Sequence, residues 1–135
     1  YRCCLGSALA ASVIECHDPG MDSHAVIVAD TSGRITRWNT GAETLFGYPA
    51  DQAVGHNLNL IVPPDLQDAH WHGFRQAMAD PHVKDLAADL PVRCADGVIR
   101  HFPGRLLTLS DGLGVALGAM AIYAPTGTTG VRPFG

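Results

Sequence analysis

Charge is scarce in this chain. Charged residues make up 16% of its 135 residues, and the formal net charge is −4. That balance leaves no basic footprint for a phosphate backbone, so nucleic-acid contact through this segment is not expected. Long apolar runs are also missing: none approaches the roughly 20 residues that a membrane-spanning helix needs, and no membrane contact is expected. Cysteine is limited to Cys3, Cys4, Cys16 and Cys94, with no C-x-x-C pair. This pattern argues against zinc and against a disulfide framework, and reads as idle or buried thiols in a reducing cytoplasm. The signatures of common catalysts are absent as well: no G-x-S-x-G, no H-E-x-x-H and no P-loop. His70 and His72 stand about 200° apart on a helix, which makes them a poor metal pair. An enzyme is therefore not expected.

What is present is a hydrophobic fraction of 47%, enough for one packed core in a chain of this length. Residues 5–16 carry Leu5, Leu9, Val13 and Cys16 at helical spacing and predict a short amphipathic helix, broken at His17-Asp18-Pro19-Gly20. Ala25 to Ala29 reads as a strand, Asp30 to Gly33 as a turn and Arg34 to Trp38 as the hairpin partner. Thr40 to Phe46 reads as a short helix with Thr40 as N-cap and Glu43 three residues later, a capping-box spacing. Pro49 to Val54 reads as another helical turn.

Pro63-Pro64-Asp65 marks the start of the longest predicted helix, residues 66–79. There Leu66, Ala69, His70, Gly73, Phe74, Ala77 and Met78 form one face. The last third is strand-rich. Residues 86–94 alternate and lead to Asp96-Gly97, a strong hairpin signal. Residues 98–109 form a second strand, with a kink expected at Pro103-Gly104. Residues 115–123 form a third, apolar on both faces and hence central or covered. Two strands, a block of short helices and a three-stranded meander make an α+β fold on one five-stranded antiparallel sheet. The organisation expected is an N-terminal helix and linker over 1–20, a sensory domain over 21–125 and a linker or tail over 126–135. Because the chain begins at Tyr1 rather than Met, it is read as a piece of a longer protein.

The stretch Ala25 to Tyr48, A-V-I-V-A-D-T-S-G-R-I-T-R-W-N-T-G-A-E-T-L-F-G-Y, resembles the opening of a PAS domain. Gly55, the I-V-P-P-D-L stretch, Asp96-Gly97 and the closing strands continue the match in order, over about residues 22–124. The resemblance implies a PAS sensory or regulatory domain in a modular signalling protein. A cleft between sheet and helices would hold a cofactor, a metabolite or nothing, and flanking helices would pass the signal to a covalently linked output domain. Together with the predicted helix 5–16 it implies a homodimer formed through that helix and the outer sheet face. The alternative is a dimerisation module that binds no ligand.

The resemblance also narrows the chemistry of the cleft. The light-sensing PAS subgroup carries a reactive cysteine in an N-C-R-F-L-Q motif, which this sequence lacks, so flavin is not expected. Haem-binding PAS sensors ligate iron with a histidine on the long helix, and in D-L-Q-D-A-H-W-H-G-F that position is His70. Many PAS domains without haem share H-W-x-G-[YF] here, so a structural histidine is the competing reading. Dioxygen-sensing relatives place an arginine or a methionine on the next strand, where this chain has Leu86 and Ala88. If haem binds, carbon monoxide, nitric oxide or redox state would be the signal instead, since the distal pocket decides what iron accepts. His82 is read as a surface loop residue. A small organic ligand is the third possibility. Candidate lining residues are Phe46, Leu60, His70, Phe74, Leu86, Ala88, Leu90, Leu107 and Met120. Trp38 is expected to pack the first hairpin, and Trp71 to lie at the edge of the helix's buried face.

Overall fold

The computed structural model describes residues 23–80 and 85–131, so the predicted helix 5–16, His82 and three of the four cysteines lie outside the described residues. Five strands form one antiparallel sheet: β1 (Ala25–Ala29), β2 (Ile35–Trp38), β3 (Asp85–Arg93), β4 (Ile99–Ser110) and β5 (Ala116–Tyr123), in the order β2-β1-β5-β4-β3. The helical block sits between β2 and β3. It comprises α1 (Thr40–Phe46), α2 (Ala50–Ala53), two 3-10 turns (Leu58–Leu60 and Pro64–Leu66) and α3 (Gln67–Ala79). β5, apolar on both faces in sequence, is the central strand.

Strand alternation separates two sheet faces. On the inner face Ala25, Ile27 and Ala29 are buried opposite Tyr123, Ala121 and Ala119. On the outer face Val26 and Val28 stand opposite Ile122 and Met120. The inner core is closed by edge-to-face rings: Phe46 meets Trp38, Phe102 and Tyr123 at centroid separations of 5.7, 5.4 and 4.9 Å. Trp38 does pack the first hairpin, donating from Nε1 to the Tyr48 carbonyl at 2.9 Å.

Two local expectations are corrected. The N-cap of α1 is Asn39, not Thr40: its Oδ1 accepts from the Ala42 amide at 2.9 Å. The same side chain accepts from Val26 N and donates to the His24 carbonyl, so it cross-links α1 to β1. Glu43 turns away from the cap and accepts from Ala50 N, the start of α2. The second correction concerns Pro103-Gly104, where β3 and β4 pair without interruption; the irregularities lie at Val28/Ala29 and Leu109/Ser110. Pro103 is tolerated because its carbonyl faces β5 and accepts from Ala124 N, leaving no β3 hydrogen bond that needs a proline N–H. Gly104 is required by proximity: a Cβ there would lie 2.6 Å from the Ile122 carbonyl oxygen.

Residues beyond Pro125 are more than a free linker. Asp89, on the free edge of β3, accepts from Thr128 Oγ1, from Thr129 N at 2.6 Å and Oγ1 at 2.9 Å, and from Gly130 N at 3.3 Å. Its own amide donates to the Val131 carbonyl at 2.8 Å. These bonds hold the Asp89 carboxyl below the usual carboxylate range, Thr128 contributing most. They also cover an otherwise open strand edge. Asp89→Ala is expected to speed amide exchange at Thr129 by at least about tenfold, since that amide loses its acceptor, and less at Gly130, whose amide keeps Thr128 Oγ1 at 3.0 Å. Amides of β1 and β5 should be unaffected, and unchanged exchange at Thr129 would show that the carboxylate does not hold the segment.

Candidate functional site

α3 begins where Pro63-Pro64 stops the preceding turn, and its position is fixed by Trp71. The Trp71 indole N–H donates to Asn59 Oδ1 at 2.7 Å, and its ring lies over Gly33 in the β1–β2 turn. A Cβ on Gly33 would come within 2.2 Å of Trp71 Cη2, so the turn carries glycine to admit the indole. Asp30 shapes that turn by accepting from Ser32 N, Ser32 Oγ and Arg34 N, which hold its carboxyl below the ordinary range. Trp71 is thus an internal peg and not an exposed face.

Pinned in this way, α3 stands off the sheet and leaves a cavity of about 360 Å³. Its walls are mostly aliphatic: Ile27, Leu58, Ile61, Val62, Leu90 and Leu106 from the sheet and turns, with Phe74, Ala77 and Met78 from α3. The volume lies within the roughly 300–1,000 Å³ range of small-molecule sites. His70 enters this apolar space with its ring 4.7 Å from Trp71 and 6.0 Å from Phe74, centroid to centroid. Its Nδ1 is buried and has no hydrogen-bond partner among the described residues. Burial lowers the imidazole pKa from 6.5 to about 4, so at neutral pH it is uncharged. A buried polar atom left unsatisfied is costly, and its usual explanation is a ligand, ion or water that completes it. Tyr123 also borders the cavity, and burial pushes its phenol well above the ordinary range.

Of the residues nominated from sequence, His70, Phe74, Leu86 and Leu90 come together at the cavity. Leu107 and Met120 border it too, but they are register partners, and Met120 also pairs with Val28. Alternation sends their side chains to the outer face, so their share of the wall is backbone. Phe46, Leu60 and Ala88 do not line the cavity. Phe46 is buried in the aromatic cluster beneath β4 and β5, Ala88 is fully buried against Gly104, and Leu60 packs on the core beside Tyr48. His72 is exposed at the rim. The inner-face residues Ile27, Ala119 and Ala121 were missed, although the alternation of β1 marks Ile27 as inward. Cys94 is buried and free, and no cluster of metal-ligating side chains exists among the described residues.

The five-stranded sheet with its block of short helices agrees with the family comparison, in which the PAS fold model matches residues 22–128. The chain belongs to the PAS fold family. It is a PAS sensory module, and modules of this family sense and do not catalyse. The PAS domain of a Colwellia psychrerythraea protein is similar in structure, with a TM-score of 0.66 at 24% identity, covering 77% of this chain and 88% of that one. Among curated proteins the domain is 34% identical over 76 residues to the sensor protein FixL of Bradyrhizobium diazoefficiens, covering 54% of this chain and 15% of FixL. It is 25% identical over 73 residues to the oxygen sensor protein DosP of Escherichia coli, covering 53% of this chain and 9% of DosP. The matched region is thus a small part of these much longer relatives. No helix among the described residues is long and apolar enough to cross a membrane.

Proposed function

We propose that this PAS domain is the sensory part of a larger cytoplasmic signalling protein, and that it reads the presence of an apolar, planar ligand or cofactor held between α3 and the sheet. The observation that carries this reading is the unpartnered Nδ1 of a neutral His70 at an otherwise apolar cavity. The walls supply burial for an apolar body, and the imidazole supplies one directional contact. The likeness to FixL and to DosP, the latter an oxygen sensor, supports a sensory role upstream of a linked output region. A PAS domain of the same fold from the Cronobacter turicensis RpfR receptor has been solved with C12:0, at a TM-score of 0.59 and 13% identity.

Haem is the cofactor that the donor set fits best. Neutral imidazole is the usual iron ligand and gives up no proton on binding. His70 would hold the group from α3, with Phe74 and Met78 against its apolar surface. Haem supplies an iron whose ligand and redox state report on the surroundings. With apolar Leu86 of β3 at the cavity and Ala88 buried outside it, carbon monoxide, nitric oxide or redox state is favoured over dioxygen as the signal. The experiment is a haemin titration followed by ultraviolet–visible spectroscopy, beside His70→Ala. A sharp Soret band in the wild type, lost in the variant, is the expected result. If haemin gives no specific band while dodecanoic acid binds, the site is an organic-ligand site; if neither binds, the domain is an interaction module.

The outer sheet face supports a homodimer. Val26, Val28, Leu107, Leu109, Met120 and Ile122 form a half-exposed apolar strip across β1, β5 and β4. Residues 5–16 carry the complementary amphipathic pattern, and light scattering of the 135-residue chain should give a dimer mass; a monomer at high concentration would refute it.

A further inference from the structure

Gly73 sits mid-way along α3, where glycine costs a helix roughly 0.5–1 kcal/mol relative to alanine. Four other glycines in the fold have an evident backbone reason: a Cβ on Gly33, Gly41, Gly104 or Gly118 would lie 2.0–2.6 Å from a neighbouring atom. Gly73 has none. A Cβ there would meet no atom within 4 Å, and no positive φ holds it to glycine. What it does border is the cavity, one turn after His70 and beside Phe74. We infer that Gly73 is the size-determining residue of the site: its missing side chain leaves the α3 backbone bare so that the body of a bulky, flat apolar ligand can lie across it next to His70. This rests on the ligand-binding reading above and adds where the ligand lies. Gly73 is exposed at the rim of the cavity, so the helix gives up stability where a side chain would stand at its mouth, the pattern of a site selected for room and not for propensity.

The test compares wild type, Gly73→Ala and Gly73→Leu in the full 135-residue chain. Melting temperature should rise by a few degrees in both variants, because the helix gains a better former and nothing is displaced. Binding of haemin or dodecanoic acid, whichever the wild type takes, should weaken modestly in Gly73→Ala and at least about tenfold in Gly73→Leu. Dissolved xenon, which enters dry apolar cavities irrespective of the natural ligand, should shift the Ala77 and Ala119 methyl resonances in the wild type and much less in Gly73→Leu. Unchanged binding and unchanged xenon shifts in Gly73→Leu would make Gly73 an ordinary exposed helix residue. A Gly73→Leu variant less stable than wild type would mean the glycine serves packing, and either result overturns the inference. If the wild type takes neither haemin nor dodecanoic acid, the ligand reading fails, and the xenon comparison still decides the role of Gly73.

Discussion

His70→Leu is expected to make the domain more stable, and the gain should grow as the pH falls. At pH 8 the substitution removes a buried nitrogen that has no partner, and an unsatisfied buried polar atom costs about 1–3 kcal/mol. The pH dependence follows from linkage. Burial depresses the folded-state pKa of His70 from 6.5 to about 4, so between those values the unfolded chain binds a proton that the folded chain refuses. The linked loss of stability is absent above pH 6.5, grows as the pH falls towards 4, and is complete below it. A shift of that size corresponds to an upper bound of about 3 kcal/mol. Urea midpoints measured from pH 8 to pH 4 should fall more steeply for wild type than for His70→Leu. Parallel curves would show that the imidazole is solvated or paired, and would remove the main argument for a ligand beside it.

Gly33→Ala is expected to be among the most damaging single substitutions in the chain. Gly33 has φ +85°, which disfavours any side chain, and the new Cβ would overlap the Trp71 ring. Strain and overpacking together should cost about 2–4 kcal/mol. The consequence reaches beyond stability, because Trp71 is the peg that sets α3 over the sheet. Displacing it would free the Asn59 hydrogen bond, expose the indole and shift the cavity wall that carries His70 and Phe74. Trp71 fluorescence, read in a Trp38→Phe background, should move to longer wavelength. Near wild-type stability with an unshifted spectrum would mean that α3 is held by other contacts.

Much of this architecture was legible in the sequence because it rests on local signals. The alternation of β1, the Asp96-Gly97 turn and the face of α3 each report a period or a turn preference that needs no tertiary information. The misassigned details are those decided by long-range partners. Asn39 displaced Thr40 as cap because its amide could also satisfy His24 and Val26, 15 and 13 residues away. Pro103 did not kink β4 because its carbonyl faced β5, which sequence spacing cannot reveal. The clasp between Asp89 and Thr128–Val131 joins segments about 40 residues apart.

The candidate site shows the same division. His70, Phe74, Leu86 and Leu90 were accessible because helical and strand periodicity place them on inward faces. Phe46 and Ala88 are inward-facing as well, but the cavity lies beyond them, and only the packing of Phe46 against three other rings shows that they fill the core. Leu107 on β4 and Met120 on β5 border the cavity, but their register sets them out of phase with the inner-face residues Leu106, Ala119 and Ala121; β5 is apolar on both faces, so its sequence contains no alternation to read. Spacing places Gly73 on the same helix face as His70, but its significance lies in space that no residue occupies, which spacing cannot show.

The central claim is that the cavity between α3 and the sheet is where this PAS domain binds what it senses. The most direct test is a methyl- and amide-resolved NMR titration of the 135-residue chain with haemin and, separately, with dodecanoic acid. The account predicts that at least one of them perturbs resonances of His70, Ala77, Ala119 and Leu90, with those of Val28 and Ile122 on the outer face undisturbed. No perturbation by either, or perturbation confined to the outer face, would contradict it.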